Sequence, residues 1–191
     1  MDDKQLEKML REISRASSLP RKHANFFNWH DKEIKELDIA TYLAGYLSLE
    51  EKLVIKTLKA CELDPPDCFL ITESCEIAIE IVELVDSSAI QKQIKEGFLY
   101  PEQDSWTEEK LEKTLNELIT IKDNPRNRTS LHKEYPRYVL LLHTDEPELN
   151  INRFKDIFKP SSLIESSLIS EIYLLFSFHP ETGNCPILRL R

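Results

Sequence analysis

The stretch Pro65-Pro66-Asp67-Cys68-Phe69-Leu70-Ile71-Thr72-Glu73-Ser74-Cys75-Glu76-Ile77-Ala78-Ile79-Glu80-Ile81-Val82-Glu83-Leu84-Val85 decides the fold class. The two prolines stop a helix, because proline lacks the amide donor and pushes the residue before it out of the helical region. Cys68 to Thr72 then reads as a short buried strand, and Glu73-Ser74 as a turn. From Glu76 to Val85 β-branched residues dominate and, beyond the opening Glu76, both faces are apolar except at Glu80 and Glu83, the pattern of a central strand covered on both sides. Alternation puts Ala78, Glu80, Val82 and Leu84 on one face and Ile77, Ile79, Ile81, Glu83 and Val85 on the other.

Upstream of this hairpin, Leu6, Met9, Leu10 and Ile13 predict an amphipathic helix over 3–14, and residues 17–30 an irregular arm with aromatic anchors. A second helix is predicted over 32–46. Ser48 with Glu51 three residues on has the pattern of a capping box, which predicts a third helix continuing to Cys61. Downstream, a short helix is expected over 88–96, followed by an amphipathic helix opened by Thr107-Glu108-Glu109-Lys110 and running through Leu111, Leu115, Leu118 and Ile119. Lys122 falls on the apolar stripe of that helix. Strands follow at Tyr138–Leu142, Ile172–Phe176 and Pro186–Leu188, with a short helix at Ile151–Phe158. The sum is an α/β fold, a mixed sheet of about five strands flanked by helices. At 191 residues one domain is expected, with 1–30 as an N-terminal helix and arm and 31–191 as the core.

Lys and Arg number 25 against 34 Asp and Glu, a net charge of −9 that opposes a global grip on nucleic acid or an anionic membrane. The exception is local. From Lys122 to Arg137 five cations (Lys122, Arg126, Arg128, Lys133, Arg137) face two acids (Asp123, Glu134), with His132 in addition, so this segment is the candidate contact for a phosphate backbone. Only three glycines occur, none clustered, which removes phosphate-cradling loops and dinucleotide-binding turns. No apolar run approaches the roughly 18 residues of a membrane span, and the acidic start is unlike a secretory signal, so a soluble, cytoplasmic protein is expected. The four cysteines contain no Cys-x-x-Cys pair and read as buried thiols of a reducing compartment.

An acid just ahead of one strand and a second acid inside the next is one way to bring two carboxylates to a hard cation such as magnesium, which takes oxygen ligands. Asp67 and Glu80 have that arrangement. Glu80 needs a partner in any case, since an isolated buried charge is expensive. Glu83, on the opposite face, is expected to pair with a helix cation. The segment His143-Thr144-Asp145-Glu146-Pro147, ending a predicted inner strand, reads either as a capping turn or as the seat of a histidine base or metal ligand.

Pro66-Asp67, with Glu80-Ile81-Val82 thirteen positions on, resembles the motif of the PD-(D/E)XK superfamily, the restriction-endonuclease-like nucleases. The order of predicted elements, a helix, a hairpin carrying the motif, a helix and further strands, is similar as well. The resemblance implies a metal-dependent nuclease acting on DNA or RNA, with Asp67 and Glu80 binding magnesium or manganese. In that family the lysine two residues after the strand acid helps activate the nucleophile, and Val82 stands there in this chain. Some members carry the lysine on a neighbouring helix, which points to Lys122 or Lys92, with Lys122 preferred because an inward-facing ammonium must reach a carboxylate or water. Glu36 is the candidate for the extra acid that many members have on the preceding helix. The alternative is a catalytically inactive descendant serving as a binding or interaction module. A third reading is an unrelated α/β domain. Nucleases of this architecture often pair, so a dimer is an open expectation.

Overall fold

The computed structural model describes residues 32–62, 65–87, 91, 95, 106–124, 134–146, 148–179 and 183–191. The helix expected over 3–14, the arm at 17–30, most of the helix over 88–96 and the centre of the basic segment lie outside them. The chain forms two compact units. One is Ala24–Val85 with Trp106–Arg191, and the other, Met1–His23 with Asp86–Ser105, lies almost wholly outside the described residues.

The first unit is a six-stranded mixed sheet flanked by helices, in the order β1 (Ile55–Ala60), β2 (Cys68–Thr72), β3 (Glu76–Glu83), β4 (Arg137–Thr144), β5 (Glu171–Phe176) and β6 (Ile187–Arg189). The first three strands form an antiparallel meander, β3, β4 and β5 run parallel, and β6 closes the sheet antiparallel to β5. The parallel centre explains the continuous apolar runs of β4 and β5, since strands covered on both faces have no side that water selects. Helix α1 (Lys32–Glu50) covers one face through Ile39, Ala40, Leu43 and Leu47, which pack with Ile77, Ile79, Val139 and Leu141. Helix α2 (Glu108–Lys122) covers the other through Leu111, Leu115 and Ile119, joined by helix α3 (Ile151–Ile157), against Ala78, Tyr138, Leu140 and Leu142. The facial split of β3 is as alternation predicts. Among the described residues, no helix is long and apolar enough to cross a membrane.

The helix expected from Ser48 to Cys61 is absent, and β1 stands in its place as the strand the sequence reading did not count. Helix α1 instead runs past Tyr46 to Glu50. There Lys52, just past the helix, takes a left-handed conformation at φ 57°, a common way for a helix to end, and the Glu51 and Leu53 amides both bond the Leu47 carbonyl, at 3.0 and 3.4 Å. Glu51 caps nothing. Its carboxylate bonds Arg137 of β4, with Nη1 at 2.9 Å, so a tertiary ion pair outcompeted the local box. Arg137 in turn donates to Glu171 from Nε at 2.5 Å and Nη2 at 2.7 Å, and Tyr173 donates to Glu171 at 2.7 Å. This network ties the end of α1 to β4 and β5.

Candidate functional site

The meander register decides where the two acids of the motif meet. Cys68 faces Ile79 across β2 and β3, so one step outward Asp67 comes opposite Glu80. Asp67 is fixed there because its Oδ2 accepts the Ile81 amide at 2.7 Å, beyond the last ladder pair. Both carboxylates are buried, Asp67 at 7% and Glu80 at 1% exposure. Two such groups at opposed positions repel, and each has recruited a lysine.

For Glu80 the lysine is Lys122. Helix α2 is capped by Thr107, whose hydroxyl accepts the Lys110 amide at 3.2 Å, and its Leu111, Leu115, Ile119 stripe docks on the sheet. Fifteen residues on, the last turn sets Lys122 above β3, where its Nζ bonds Glu80 Oε1. The other carboxylate oxygen accepts the Tyr138 hydroxyl of β4 at 3.1 Å. Burial, and then the Asp67 charge, push the Glu80 pKa up, while Lys122 and Tyr138 pull it down.

Lys32, in the first turn of α1, lies 3.2 Å from Glu36 Oε1 and 3.6 Å from Asp67 Oδ1. Glu36 is pushed up to about 7, first by burial and next by Asp67, with Lys32 opposing. The structure thus gathers Glu36, Asp67, Glu80 and Lys122 along one edge of the hairpin. Lys92 lies outside the described residues, as do Arg126, Arg128, His132 and Lys133. Of the basic segment, Lys122 is engaged with Glu80 and Arg137 with Glu51 and Glu171. Val82, at the family's lysine position, packs against the apolar cluster under α2.

Nothing matches this chain. That holds for family models, curated proteins and solved structures alike.

The donor set suits a hard divalent cation by its chemistry, because Asp67, Glu80 and Glu36 offer carboxylate oxygens whose mutual repulsion a cation relieves. Among the described residues no three His, Cys, Asp or Glu side chains are already arranged as a cage, and the lysines meet these oxygens instead.

The segment from His143 lies elsewhere. His143 falls on the α1 face with Val139 and Leu141, opposite to Glu80, and burial, helped by the Lys35 charge, lowers its pKa to about 3. Thr144 makes a turn there, donating to the Leu84 carbonyl at 2.8 Å and accepting the Glu146 amide at 3.2 Å, but the cap of the following helix α3 is Asn150 rather than Thr144 or Asp145; Pro147 is outside the described residues. Glu83 pairs with a helix cation, Lys35, at 3.6 Å. A separate groove of about 670 Å³, lined by Tyr42, Tyr46, Lys155, His179 and Ile187 among others, contains none of the four carboxyl and lysine groups. All four cysteines are free thiols, with Cys68 and Cys185 buried. Tyr138 and Lys32 are the site neighbours that sequence reasoning missed. The hydroxyl of Tyr138 could have been flagged, since it is a polar group on an inward face of β4 that is otherwise apolar beside Glu80.

Proposed function

We propose that this protein is a metal-dependent phosphodiesterase of the restriction-endonuclease-like type, acting on DNA or RNA, with Asp67 and Glu80 as its metal-binding carboxylates. The observation that carries the reading is the bond from Lys122 to Glu80. An ammonium arriving from α2 stands beside the strand acid, which is where Val82 withholds one. The antiparallel hairpin with the two acids at opposed positions, followed by a helix and a parallel strand, supports the same reading.

Magnesium or manganese, when bound, supplies Lewis acidity and a water of lowered pKa for attack on phosphorus. The chain's own groups do the rest. Asp67 and Glu80 offer the hard oxygens, with Asp67 held by the Ile81 amide and Glu80 by Tyr138. Lys122 opposes the burial and the Asp67 repulsion that push the Glu80 pKa up, and presents a cation to the phosphate oxygens as negative charge grows on them, the interaction that lowers such barriers most. Glu36 with Lys32 supplies a further carboxyl beside Asp67.

A second reading, a binding or interaction module with a decayed site, is favoured by one observation: lysines already satisfy the carboxylates. Calorimetric titration with magnesium and with manganese separates the two. Binding by the wild type that vanishes in Glu80→Ala supports the nuclease reading and justifies cleavage assays on DNA and RNA. Heat-silent titrations for both proteins overturn it and leave the module.

A further inference from the structure

Glu80 is gripped from two sides, and only one of the two grips comes from the motif-bearing hairpin's helical neighbour. The other comes from β4. We infer that Tyr138 is a positioning residue of the metal site: its hydroxyl, bonded to Glu80 Oε2 at 3.1 Å, sets the orientation of the carboxylate that receives the cation. The inference rests on the function proposed above and adds to it a residue outside any motif.

Three observations carry it. Parallel pairing puts Ala78 beside Tyr138 and Glu80 beside Leu140, so Tyr138 shares the α2 face with Glu80 and leans one pleat along the strand toward it. The backbone of Tyr138 is clamped by Ser170, whose Oγ accepts the Tyr138 amide and donates to its carbonyl, each at 3.0 Å, while the Ser170 amide bonds the same carbonyl at 2.8 Å. The ring is 2% exposed and packed in the apolar cluster, so the hydroxyl has no freedom to swing to water.

A carboxylate has two oxygens in one plane. With Tyr138 on Oε2 and Lys122 on Oε1, rotation about the terminal bond is fixed. Outer partners that hold a metal ligand in this way alter affinity by about 10- to 100-fold when removed. The ring itself fills space, and replacing tyrosine by phenylalanine removes one oxygen without opening a cavity.

The test is magnesium binding by calorimetry on the full chain, wild type against Tyr138→Phe, with a thermal melt of each. The expected result is a dissociation constant at least tenfold higher in the variant. A side chain that only packs would shift the melt and leave the affinity alone, so equal affinities overturn the inference while the nuclease reading stands. No binding by the wild type fells the nuclease reading first, and the inference with it. Should Tyr138→Phe fail to fold, 3-fluorotyrosine placed at position 138 keeps the hydroxyl. Its fluorine resonance should move when magnesium is added, and a resonance that stays put overturns the inference.

Discussion

Glu80 has almost no water, and burial and three neighbouring groups contend over its proton. Burial and Asp67 favour the neutral acid, while Lys122 and Tyr138 favour the carboxylate. Losing Lys122 leaves the charge buried with half its compensation. A Lys122→Met variant should therefore lose about 3 kcal/mol at neutral pH, the lower end for breaking a buried pair, because the lysine is itself partly exposed. In the double variant with Glu80→Gln the charge is gone, and the loss should shrink by more than 1 kcal/mol, a coupling expected of groups in direct contact. Urea denaturation of the four proteins in this cycle measures it. Strictly additive losses would mean that the ammonium contributes nothing to Glu80.

At the scale of elements, Lys52 is the hinge on which α1 gives way to β1. A left-handed conformation costs a side-chain-bearing residue roughly 1–2 kcal/mol, and glycine almost nothing. Lys52→Gly should raise stability by about 1 kcal/mol in urea denaturation, even with loss of the Lys52 bond to the Leu49 carbonyl. An unchanged or lowered midpoint would mean that this bond outweighs the strain. The same junction marks where the sequence misleads. Ser48 and Glu51 have the local chemistry of a helix start, and nothing within ten residues says that Glu51 will find Arg137 86 positions away. The hairpin was legible because proline, β-branching and alternation are local signals, and so was α2, with its threonine cap and its apolar stripe. Lys122 announced itself as a charge on that stripe. What could not be read was distance in space: Tyr138 and Lys32 meet the acids through packing that no short window of sequence encodes.

Across the whole molecule, pH tests how buried groups are balanced. His143 titrates near 6.5 when unfolded and at about 3 when folded, so on acidification the unfolded chain takes up this proton first. Stability should fall as pH drops below about 6.5, by up to about 1.4 kcal/mol per unit from this group. Lys35 is the charge that acts on it, and Glu83, its neighbour across the β3–β4 ladder, is paired with that lysine. Asp145, raised to about 6 by burial first, and Glu36, raised to about 7, act in the opposite sense, gaining stability as pH falls through those values. They are common to wild type and His143→Gln, so urea midpoints for the pair between pH 7 and 4.5 isolate the histidine. The wild type should lose more, and parallel curves would refute the assignment. The sheet's connectivity has a further consequence, for assembly. Asp67 and Glu80 are brought together by a tight meander, a loop cheap to close, whereas Lys122 lies 42 and Tyr138 58 positions from Glu80 and both arrive across the long crossover. Closing the meander thus asks far less of the chain than bringing in the two groups that neutralise Glu80. The hairpin alone is therefore self-repelling, and docking of the crossover helix is the event that makes its geometry tolerable.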